Sequence, residues 1–290
     1  VPSMNTKMWE SKMVQMNIEK LKDAGYDFLE PGVGDLACGT SGKGRLPTIG
    51  DILEKMEDIF TIKDLVNERI LVTSGPTAEF IDPVRCITNR SSGKMGYAIA
   101  KIARRRGAEV ILITGQTHLP QPRNDIEVVE VVTACEMRDA VMEHYRACTV
   151  IIKAAAVADF KCSTENCNKI KKKGDESTML LELTKNPDII GELGMLKENR
   201  ILVGFAAETE NLLENASEKL KKKNLDLIIA NDVSKSDIGF GSDNNEVIII
   251  EVSGKTRHVP IMSKEEIANI IFDSIKKIIK KRKVVKDDWY

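Results

Sequence analysis

From Arg69 onward, short apolar runs alternate with amphipathic stretches of helical length. The runs that predict buried strands are Ile70–Thr73, Val110–Thr114, Glu127–Val132, Val150–Ala155, Ile201–Phe205 and Leu225–Ala230. The stretches with helical spacing between them are Met95–Arg106, Cys135–Tyr145, Asp188–Lys197 and Leu212–Lys223. Continuous runs of Ile and Val separated by helices are typical of a parallel sheet that is covered on both faces. With right-handed crossovers, this order predicts an α/β fold with a Rossmann-like, doubly wound, mainly parallel sheet.

A different pattern closes the chain. Two β runs, Glu246–Val252 and Lys255–Pro260, flank Ser253-Gly254, which is a signal for a two-residue hairpin turn. A final helix is predicted from about Ser263 to Ile279. The basic residues 280–283 after it are typical of a solvated helix C-terminus, where the helix dipole favours positive charge.

The first 68 residues lack the regular alternation. Residues 1–50 are rich in Gly and Met and contain one amphipathic stretch, Ser11–Ala24, whereas residues 51–68 are charged and weakly helical. We therefore predict a partial domain over residues 1–55, a helical linker over 56–68 and the α/β domain over 69–290. Because the chain opens on Val1 with residues typical of the middle of a protein, we expect a fragment or a processed chain.

Composition narrows the class of protein. The 290 residues are 42% hydrophobic and 30% charged, as in ordinary soluble proteins, and the net charge of -1 gives no general attraction to nucleic acid or membrane. No apolar run reaches the ~18 residues of a membrane span, and no signal-peptide pattern opens the chain. The cysteines match no zinc module, so we expect reduced thiols in a cytoplasmic protein, with a disulfide or metal binding at Cys162 and Cys167 left open.

The segment Thr73–Gly96 follows the first strand and opens the first helix, where ligands bind in doubly wound sheets. Gly75 and Gly93 allow the backbone to approach a ligand closely. Ser91 and Ser92 lie at the helix start, where free N–H groups and the helix dipole favour an anion. A polar loop of roughly twenty residues greatly exceeds the usual two to six, which favours a nucleotide-phosphate site over an ordinary capped loop.

The two common glycine fingerprints do not fit. A Walker A loop requires Ser or Thr after Gly93-Lys94, where this chain has Met95. Gly32–Ala37 has neither a strong strand before it nor a helix after it, and the second strand ends without an acidic residue. A dinucleotide-dependent oxidoreductase is therefore disfavoured, whereas a non-catalytic nucleotide-binding domain remains an alternative.

Other strand ends carry polar groups. Ala154 and Ala155 permit close approach of a flat group, and Asp159 can accept hydrogen bonds or hold a metal cation. The basic run 169–173 on the next loop favours anion binding. Asn186 is a candidate cap of the following helix, with Pro187 in its first turn. No histidine has a nucleophile partner in the sequence, so a Ser-His-Asp or Cys-His mechanism is disfavoured.

Taken in order, these motifs resemble the phosphopantothenate–cysteine ligase family over roughly residues 69–275. The segments that carry the resemblance are Ile81–Arg85, Asn89–Gly96, Ala154–Phe160, Lys169–Lys172, Asn186–Ile189, Gly204–Thr209 and Ala230–Val233. The resemblance implies an enzyme of coenzyme A biosynthesis that activates the carboxylate of 4′-phosphopantothenate with CTP and Mg²⁺. The resulting acyl-cytidylate then reacts with the amine of cysteine. The sequence leaves CTP against ATP open.

The resemblance also implies residue roles. Asn89 contacts the acyl-nucleotide intermediate, and Lys169 serves both ligation and nucleotide binding. The other residues that it assigns to the nucleotide are Asp159, Asn186, Pro187, Asp188, Ile189, Phe205, Lys219 and Lys223. The strand-end argument adds Gly75, Ser91, Ser92, Gly93, Ala154 and Ala155. The family suggests a homodimer or higher homo-oligomer, and the hairpin arm at residues 246–260 is a candidate contact.

The N-terminal segments Pro2–Trp9 and Leu36–Thr40 resemble the last third of phosphopantothenoylcysteine decarboxylase, a flavoprotein often fused before the ligase in bifunctional proteins of coenzyme A biosynthesis. This resemblance implies that Asn5 contacts substrate and that Cys38 donates a proton. Thr40 stands where the family often has Asp. Because the flavin-binding portion and the catalytic His are missing, we expect this chain alone to bind no FMN and to catalyse no decarboxylation.

Overall fold

The computed structural model describes residues 1–123, 125–171, 178–208, 210–232 and 241–287. The chain separates into two compact units, Val1–Ile62 and Lys63–Tyr290. No helix in the described ranges has the length and apolarity that crossing a membrane requires.

The N-terminal unit is small. Its elements are α1 (Thr6–Trp9), α2 (Lys12–Asp23), β1 (Gly32–Asp35), β2 (Ser41–Arg45) and α3 (Ile49–Phe60), with β1 and β2 paired antiparallel. The Ser11 hydroxyl accepts from the Val14 N–H, which begins α2 where the amphipathic stretch predicts it. Within this fully described unit, the buried hydrophobic side chains are Trp9 and Ile18.

The helical linker predicted over residues 56–68 is wrong in extent. Thr48 and Asp51 form a capping box that begins α3 at Ile49, and the helix ends at Phe60. Residues 61–68 contain no helix. Leu65 is instead buried in the core of the C-terminal unit.

The C-terminal unit contains the predicted sheet. Its strands are β3 (Arg69–Ser74), β4 (Ala78–Asp82), β5 (Arg85–Thr88), β6 (Glu109–Thr114), β7 (Glu127–Glu130), β8 (Val150–Lys153), β9 (Phe160–Cys162), β10 (Leu183–Lys185), β11 (Ile201–Glu208), β12 (Leu227–Asp232), β13 (Asn244–Glu251) and β14 (Thr256–Ser263). Its helices are α4 (Lys94–Arg105), α5 (Ala134–His144), α6 (Ile189–Met195), α7 (Leu212–Lys222) and α8 (Lys264–Asp287).

Within the described ranges, the main sheet has eight strands in the order β14-β13-β12-β11-β8-β3-β6-β7. The strands from β12 to β7 are parallel, and β13 and β14 are antiparallel. The chain runs from β3 outward to β7 and then returns to β8 on the other side of β3. The doubly wound fold is therefore confirmed, and its switch point lies between β3 and β8, where such sheets bind ligands.

Each central strand contributes to two hydrophobic clusters. Ile152 packs in the cluster that contains α4 and α8 residues, whereas Ile151 packs in the cluster that contains α5, α6 and α7 residues. This alternation follows from the two-residue period of a strand. It also assigns the next residue, Lys153, to the α6–α7 face.

Two predictions about loops are wrong. The segment after β3, predicted as one long polar loop, contains the antiparallel hairpin of β4 and β5. The turn at Ser253-Gly254 is not a two-residue turn. The Gly254 N–H donates to the Glu251 oxygen at 2.8 Å and the Glu251 N–H donates to the Lys255 oxygen at 2.9 Å, with Gly254 in the left-handed region at φ +83°. This hairpin extends the main sheet and is not a separate arm.

Candidate functional site

The turn after β3 is built around glycines. Gly93 caps the N-terminus of α4 at φ +78°, and a Cβ added there would lie 2.7 Å from the Thr117 methyl group. Gly75 has φ +73° and packs against the Gly115 carbonyl. The Ser74 hydroxyl donates to the Gly93 oxygen at 2.8 Å. Only glycine fits both positions, so the backbone N–H groups at the start of α4 stay open toward a ligand.

The predicted serines lie beside these N–H groups. The Ser91 hydroxyl accepts from the Gly93 N–H at 3.4 Å, and the Ser92 hydroxyl accepts from the Lys94 N–H at 3.5 Å. Both distances are long for hydrogen bonds, so the two hydroxyls remain available to an anion at the helix N-terminus.

Asn89 connects the ends of the two strands at the switch point. Its Nδ2 donates to the Ala156 oxygen at 3.0 Å, and the Ala156 N–H donates to the Gly75 oxygen at 2.9 Å. The Thr77 N–H donates to the same Ala156 oxygen at 3.3 Å. These bonds hold the Asn89 amide at the mouth of the crevice between β3 and β8, where the sequence predicts it.

The switch point opens into a cavity of about 330 Å³. Of the predicted site residues, those that line it are Asn89, Ser91, Ser92, Gly93, Ala154, Ala155, Asp159, Phe205 and Lys219. The Lys219 Nζ donates to the Phe205 oxygen at 3.0 Å, which joins α7 to the end of β11. The remaining lining residues are Lys94, Met95, Gly96, Lys153, Ala156, Val157, Ala207, Asn231, Asn245 and Lys264.

The start of α6 forms a second group beside this cavity. Asp188, not Asn186, is the N-cap, and its carboxylate accepts from the Gly191 N–H at 3.1 Å. The cap predicted at Asn186 is therefore wrong, because its Nδ2 donates to the Ala158 oxygen at 2.9 Å instead. Pro187 consequently precedes the cap and is not in the first turn. Ile189 is buried in the core, so any contact of Ile189 with a ligand falls to its backbone.

Lys223 belongs to this second group, since its ammonium pairs with the Asp188 carboxylate. Hydrogen bonds from the Lys223 ammonium and the Gly191 N–H hold the pKa of Asp188 below its usual value against the opposing effect of burial, which is the largest single contribution. Asp188 is therefore a carboxylate that keeps its charge beside the cavity.

Lys169 lies outside the cavity and is exposed. Its neighbour Ile170 is held by the β4–β5 hairpin: the Ile170 N–H donates to Asp82 at 3.1 Å, and Arg85 donates to the Ile170 oxygen at 2.9 Å. The same Arg85 holds the pKa of the Asp82 carboxyl well below its usual range. The structure therefore fixes the backbone beside Lys169 but does not bring Lys169 together with Asn89.

Parts of three predicted motifs lie outside the described residues, namely Lys172 and Lys173, Thr209 and Val233.

In the N-terminal unit, the two predicted decarboxylase residues do meet. The Asn5 Nδ2 donates to the Cys38 sulfur at 2.9 Å, and the Thr40 hydroxyl lies 3.2 Å from the same sulfur. Hydrogen bonds from Thr40, and then from Asn5, lower the pKa of the Cys38 thiol. Thr40, the residue that departs from the resemblance, is thus a direct partner of the thiol.

Comparison with known proteins identifies the family. The family described as the DNA/pantothenate metabolism flavoprotein C-terminal domain matches residues 65–279, and the family described as Flavoprotein matches residues 1–61. A coenzyme A biosynthesis bifunctional protein of Bacillus subtilis (strain 168) is 46% identical over 277 residues, which are 94% of this chain and 68% of that protein. The chain belongs to the family of coenzyme A biosynthesis bifunctional proteins.

Solved structures agree with this assignment. The C-terminal domain of a coenzyme A biosynthesis bifunctional protein has a TM-score of 0.65 and 40% identity, and the match covers 76% of this chain and 99% of that domain. The structure of a Cab2 mutant in complex with phosphopantothenate-cysteine has a TM-score of 0.62 over 82% of this chain and 96% of that protein. At 19% identity, the second likeness shows the fold alone.

Three lysines that line the cavity are not among the predicted site residues, namely Lys94, Lys153 and Lys264. Lys94 pairs with Asp243 at 2.7 Å, and the Lys264 ammonium donates to the Ser242 oxygen. Among the described residues, Lys153 has no hydrogen-bond or ion-pair partner of this kind. A signal was available for it, because Lys153 is the one charged residue in the apolar run Val150–Ala155.

The metal ligand predicted at Asp159 stays a prediction. In the part of the chain that the structure describes, no group of three or more His, Cys, Asp or Glu side chains could hold a metal ion. Asp159 nevertheless lines the cavity. Mg²⁺ commonly uses one or two carboxylates together with substrate phosphates and water, so Asp159 fits a cation that is also held by a nucleotide.

Proposed function

We propose that this chain joins 4′-phosphopantothenate to cysteine, with CTP as the activating nucleotide. The observation that carries the proposal is the cavity at the switch point, which places the Asn89 amide, the open start of α4 and several lysine side chains around one space. The family membership and its role in coenzyme A biosynthesis support the same reaction.

Two steps account for the reaction. A carboxylate oxygen of phosphopantothenate attacks the α-phosphorus of CTP, which forms an acyl-cytidylate and releases pyrophosphate. The amine of cysteine then attacks the acyl carbon and forms the amide, and CMP leaves. Both steps concentrate negative charge on phosphate or on a tetrahedral oxygen, and positioned donors stabilise such charge.

The chain's own residues have matching roles. Asn89 donates to the acyl oxygen from a position fixed by the Ala156 carbonyl. Gly75, Gly93, Ser91 and Ser92 hold a phosphate group through backbone N–H groups and hydroxyls. Mg²⁺ bound at Asp159 would screen charge between phosphate groups.

The second group contacts the remainder of the nucleotide. Its members are Asn186, Pro187, Asp188, Ile189, Phe205, Lys219 and Lys223. Phe205 and Lys219 already line the cavity, and the Lys223–Asp188 pair lies at the start of α6. Lys169 serves ligation from the loop held by Asp82 and Arg85.

The N-terminal unit has a separate role in the proposal. The match to a flavoprotein family implies FMN for the decarboxylase of these bifunctional proteins. The unit itself offers an exposed Asn5–Cys38 pair and two buried hydrophobic side chains. We assign no step of the ligation to FMN, and the lack of decarboxylation by this chain alone stays a prediction from the sequence.

One assay tests the ligase proposal. Pyrophosphate release is measured with phosphopantothenate, Mg²⁺ and each of the four nucleoside triphosphates, with and without cysteine. We expect release that requires phosphopantothenate and is fastest with CTP. A non-catalytic nucleotide-binding domain would bind CTP without this release, and that outcome would contradict the proposal.

We also propose that the chain forms a homodimer or a higher homo-oligomer, as the family resemblance suggests. The hairpin of β13 and β14 is an edge of the main sheet, and β14 is its outermost strand. Sedimentation of the purified chain at several concentrations tests this, and a monomer at all of them would contradict it.

A further inference from the structure

Lys153 ends strand β8 at the switch point. Its partners in register are Thr73 of β3 on one side and Gly204 of β11 on the other. Both neighbouring strands run parallel to β8, so Lys153 stands at the carboxyl edge of the sheet between the α4 turn and the end of β11. It lines the same cavity as Asn89, Asp159 and Lys219.

The charged groups around Lys153 do not neutralise it. In the part of the chain that the structure describes, its ammonium forms neither a hydrogen bond nor an ion pair within 4.0 Å. The Asp188 carboxylate is occupied by Lys223 and the Gly191 N–H. Lys219, on the same side of the sheet, adds a second positive charge and is bound to the Phe205 carbonyl.

Lys153 is partly buried where it lines the cavity, and a bound anion would stabilise its charge there. Removing an ammonium from water is strongly unfavourable without a paired anion. Burial, and then the nearby Lys219 charge, lower the pKa of Lys153 to about 8, against the weaker opposing effects of Asp159 and Asp188. The lysine is therefore mostly charged at neutral pH in a pocket that lacks its counter-ion.

We propose that Lys153 is a nucleotide-binding residue, whose ammonium donates to phosphate oxygens of the triphosphate in the cavity. This inference rests on the proposed function, because that function requires a nucleotide in the cavity. It adds to that function the residue Lys153 and its contact with the phosphate groups. Lys153 extends the positive wall formed by Lys219, Lys94 and Lys264 toward the switch point. The group that it recognises is the phosphate chain, not the base.

The decisive variant is Lys153→Met, which keeps the length of the side chain and removes its charge. Binding of CTP and of inorganic tripolyphosphate is measured by calorimetry, together with the melting temperature. We expect both ligands to bind roughly 10–100-fold more weakly, as for the loss of one charge-assisted hydrogen bond. The melting temperature should stay equal or rise, because the variant removes a partly buried charge that has no ion-pair partner among the described residues.

Lys197→Met is the matched control. The Lys197 side chain is largely buried, its ammonium pairs with Asp226 at 3.0 Å, and neither residue lines the cavity. We expect this variant to melt at a lower temperature and to bind CTP and tripolyphosphate as the wild type does. If Lys153→Met does not fold, Lys153→Gln replaces it in both measurements.

A pH series sharpens the test. The titratable groups that face Lys153 or share its cavity are Lys219, Asp159, Asp188, Lys94 and Lys264. Affinity of the wild type for tripolyphosphate should fall as the pH rises through about 8, because the free lysine loses its proton. Lys264, whose pKa burial also lowers, contributes equally to both proteins. The dependence should therefore be weaker in Lys153→Met, and identical curves would contradict the proposal.

Each outcome discriminates. Equal affinities of the wild type and Lys153→Met for both ligands would overturn the role of Lys153 and leave the nucleotide cavity standing. Unchanged affinity with a lower kcat would make Lys153 a proton-transfer group instead, and that also overturns the proposal. A wild type that binds neither ligand would overturn both this inference and the nucleotide part of the proposed function.

Discussion

The two units of the chain position their predicted site asparagines, Asn89 and Asn5, in different ways. In the C-terminal unit, Asn89 is bonded to strand ends that continue into two buried clusters of side chains. In the N-terminal unit, Asn5 meets Cys38 at 2.9 Å on an exposed surface, and the unit has two buried hydrophobic side chains. The difference teaches that contact between two predicted residues does not by itself make a preorganised site, because the precision of a site comes from the core beneath it.

The largest expected effect is on Asn89. In Asn89→Asp, the donor to the acyl oxygen becomes a carboxylate, so stabilisation of the developing negative charge is lost. We expect ligation to slow by roughly 100-fold or more, with CTP binding retained. Pyrophosphate release and product formation in single-turnover experiments measure both steps.

Asn5→Asp is the matched control for this variant. It changes the same residue type in the N-terminal unit, which takes no part in the proposed ligation. Ligation should proceed at the wild-type rate. A loss comparable to that of Asn89→Asp would contradict the separation of roles between the two units.

The second prediction compares two glycines in the left-handed region. Gly93 has φ +78° and its added Cβ would meet Thr117 at 2.7 Å, whereas Gly39 has φ +79° and its added Cβ would meet no atom within 4 Å. Gly93→Ala therefore adds a steric clash to the backbone strain that both substitutions cause, about 1–2 kcal/mol. Urea unfolding should show the larger loss for Gly93→Ala, and only this variant should weaken CTP binding. Equal losses of unfolding free energy in Gly93→Ala and Gly39→Ala would mean that the turn before α4 adjusts to the added methyl group without cost.

The sequence predicts the C-terminal unit well where apolar runs decide the structure. The runs around Ile70, Val110 and Val150 are buried central strands because continuous apolar sequence can only be accommodated between two covered faces. The β4–β5 hairpin escaped this reasoning. Asp82 and Glu79 in this hairpin are typical loop residues in sequence, yet both are buried. Their carboxylates accept hydrogen bonds from the backbone N–H groups of Ile170 and Ala134, which are distant in the sequence.

The same limit applies to the site. Phe205 ends a predicted strand and Asp159 lies shortly after another, so the topology brings both to one edge of the sheet, whereas Asn89 reaches this edge through the long segment after the first strand. Lys169 and Asn186 were assigned from motifs, and motif order does not specify which side chain reaches the cavity. Lys153 is not among the predicted site residues, because a single lysine inside an apolar run is a weak signal that an ordinary buried strand can also contain.

The third prediction contrasts two ion pairs. Asp64 is largely buried and accepts from Arg106 at 2.8 and 2.9 Å, which lowers its pKa from 3.8 to about 2. Because the pKa of Asp64 is lowered in the folded state, the ionised carboxylate contributes its full share of the unfolding free energy above about pH 4. This contribution is lost as the pH falls toward 2. Asp64→Asn should cost about 1–2 kcal/mol of unfolding free energy at pH 5, allowing for solvent screening.

The control for Asp64 is the exposed Lys43–Glu30 pair of the N-terminal unit. Glu30→Gln should cost less than about 1 kcal/mol. Urea unfolding at pH 5 and pH 2.5 measures both variants against the wild type. A deficit of Asp64→Asn that persists undiminished at pH 2.5 would show that packing, and not the carboxylate charge, is what the substitution removes.

The smallest effect is expected at Cys38, where the N-terminal unit carries its only predicted proton donor. Hydrogen bonds from Thr40 are the largest cause of the lowered pKa of the thiol, so Thr40→Val should move that pKa upward. The rate of alkylation by iodoacetamide, followed from pH 6 to 10, reports the thiolate fraction directly. Cys38→Ser identifies the signal of this thiol among the other free cysteines. We expect a modest shift of the alkylation curve to higher pH and no change in ligation. An unmoved curve would mean that solvent replaces the Thr40 hydroxyl at this exposed position, which would deepen the contrast with the buried bonds that fix Asn89.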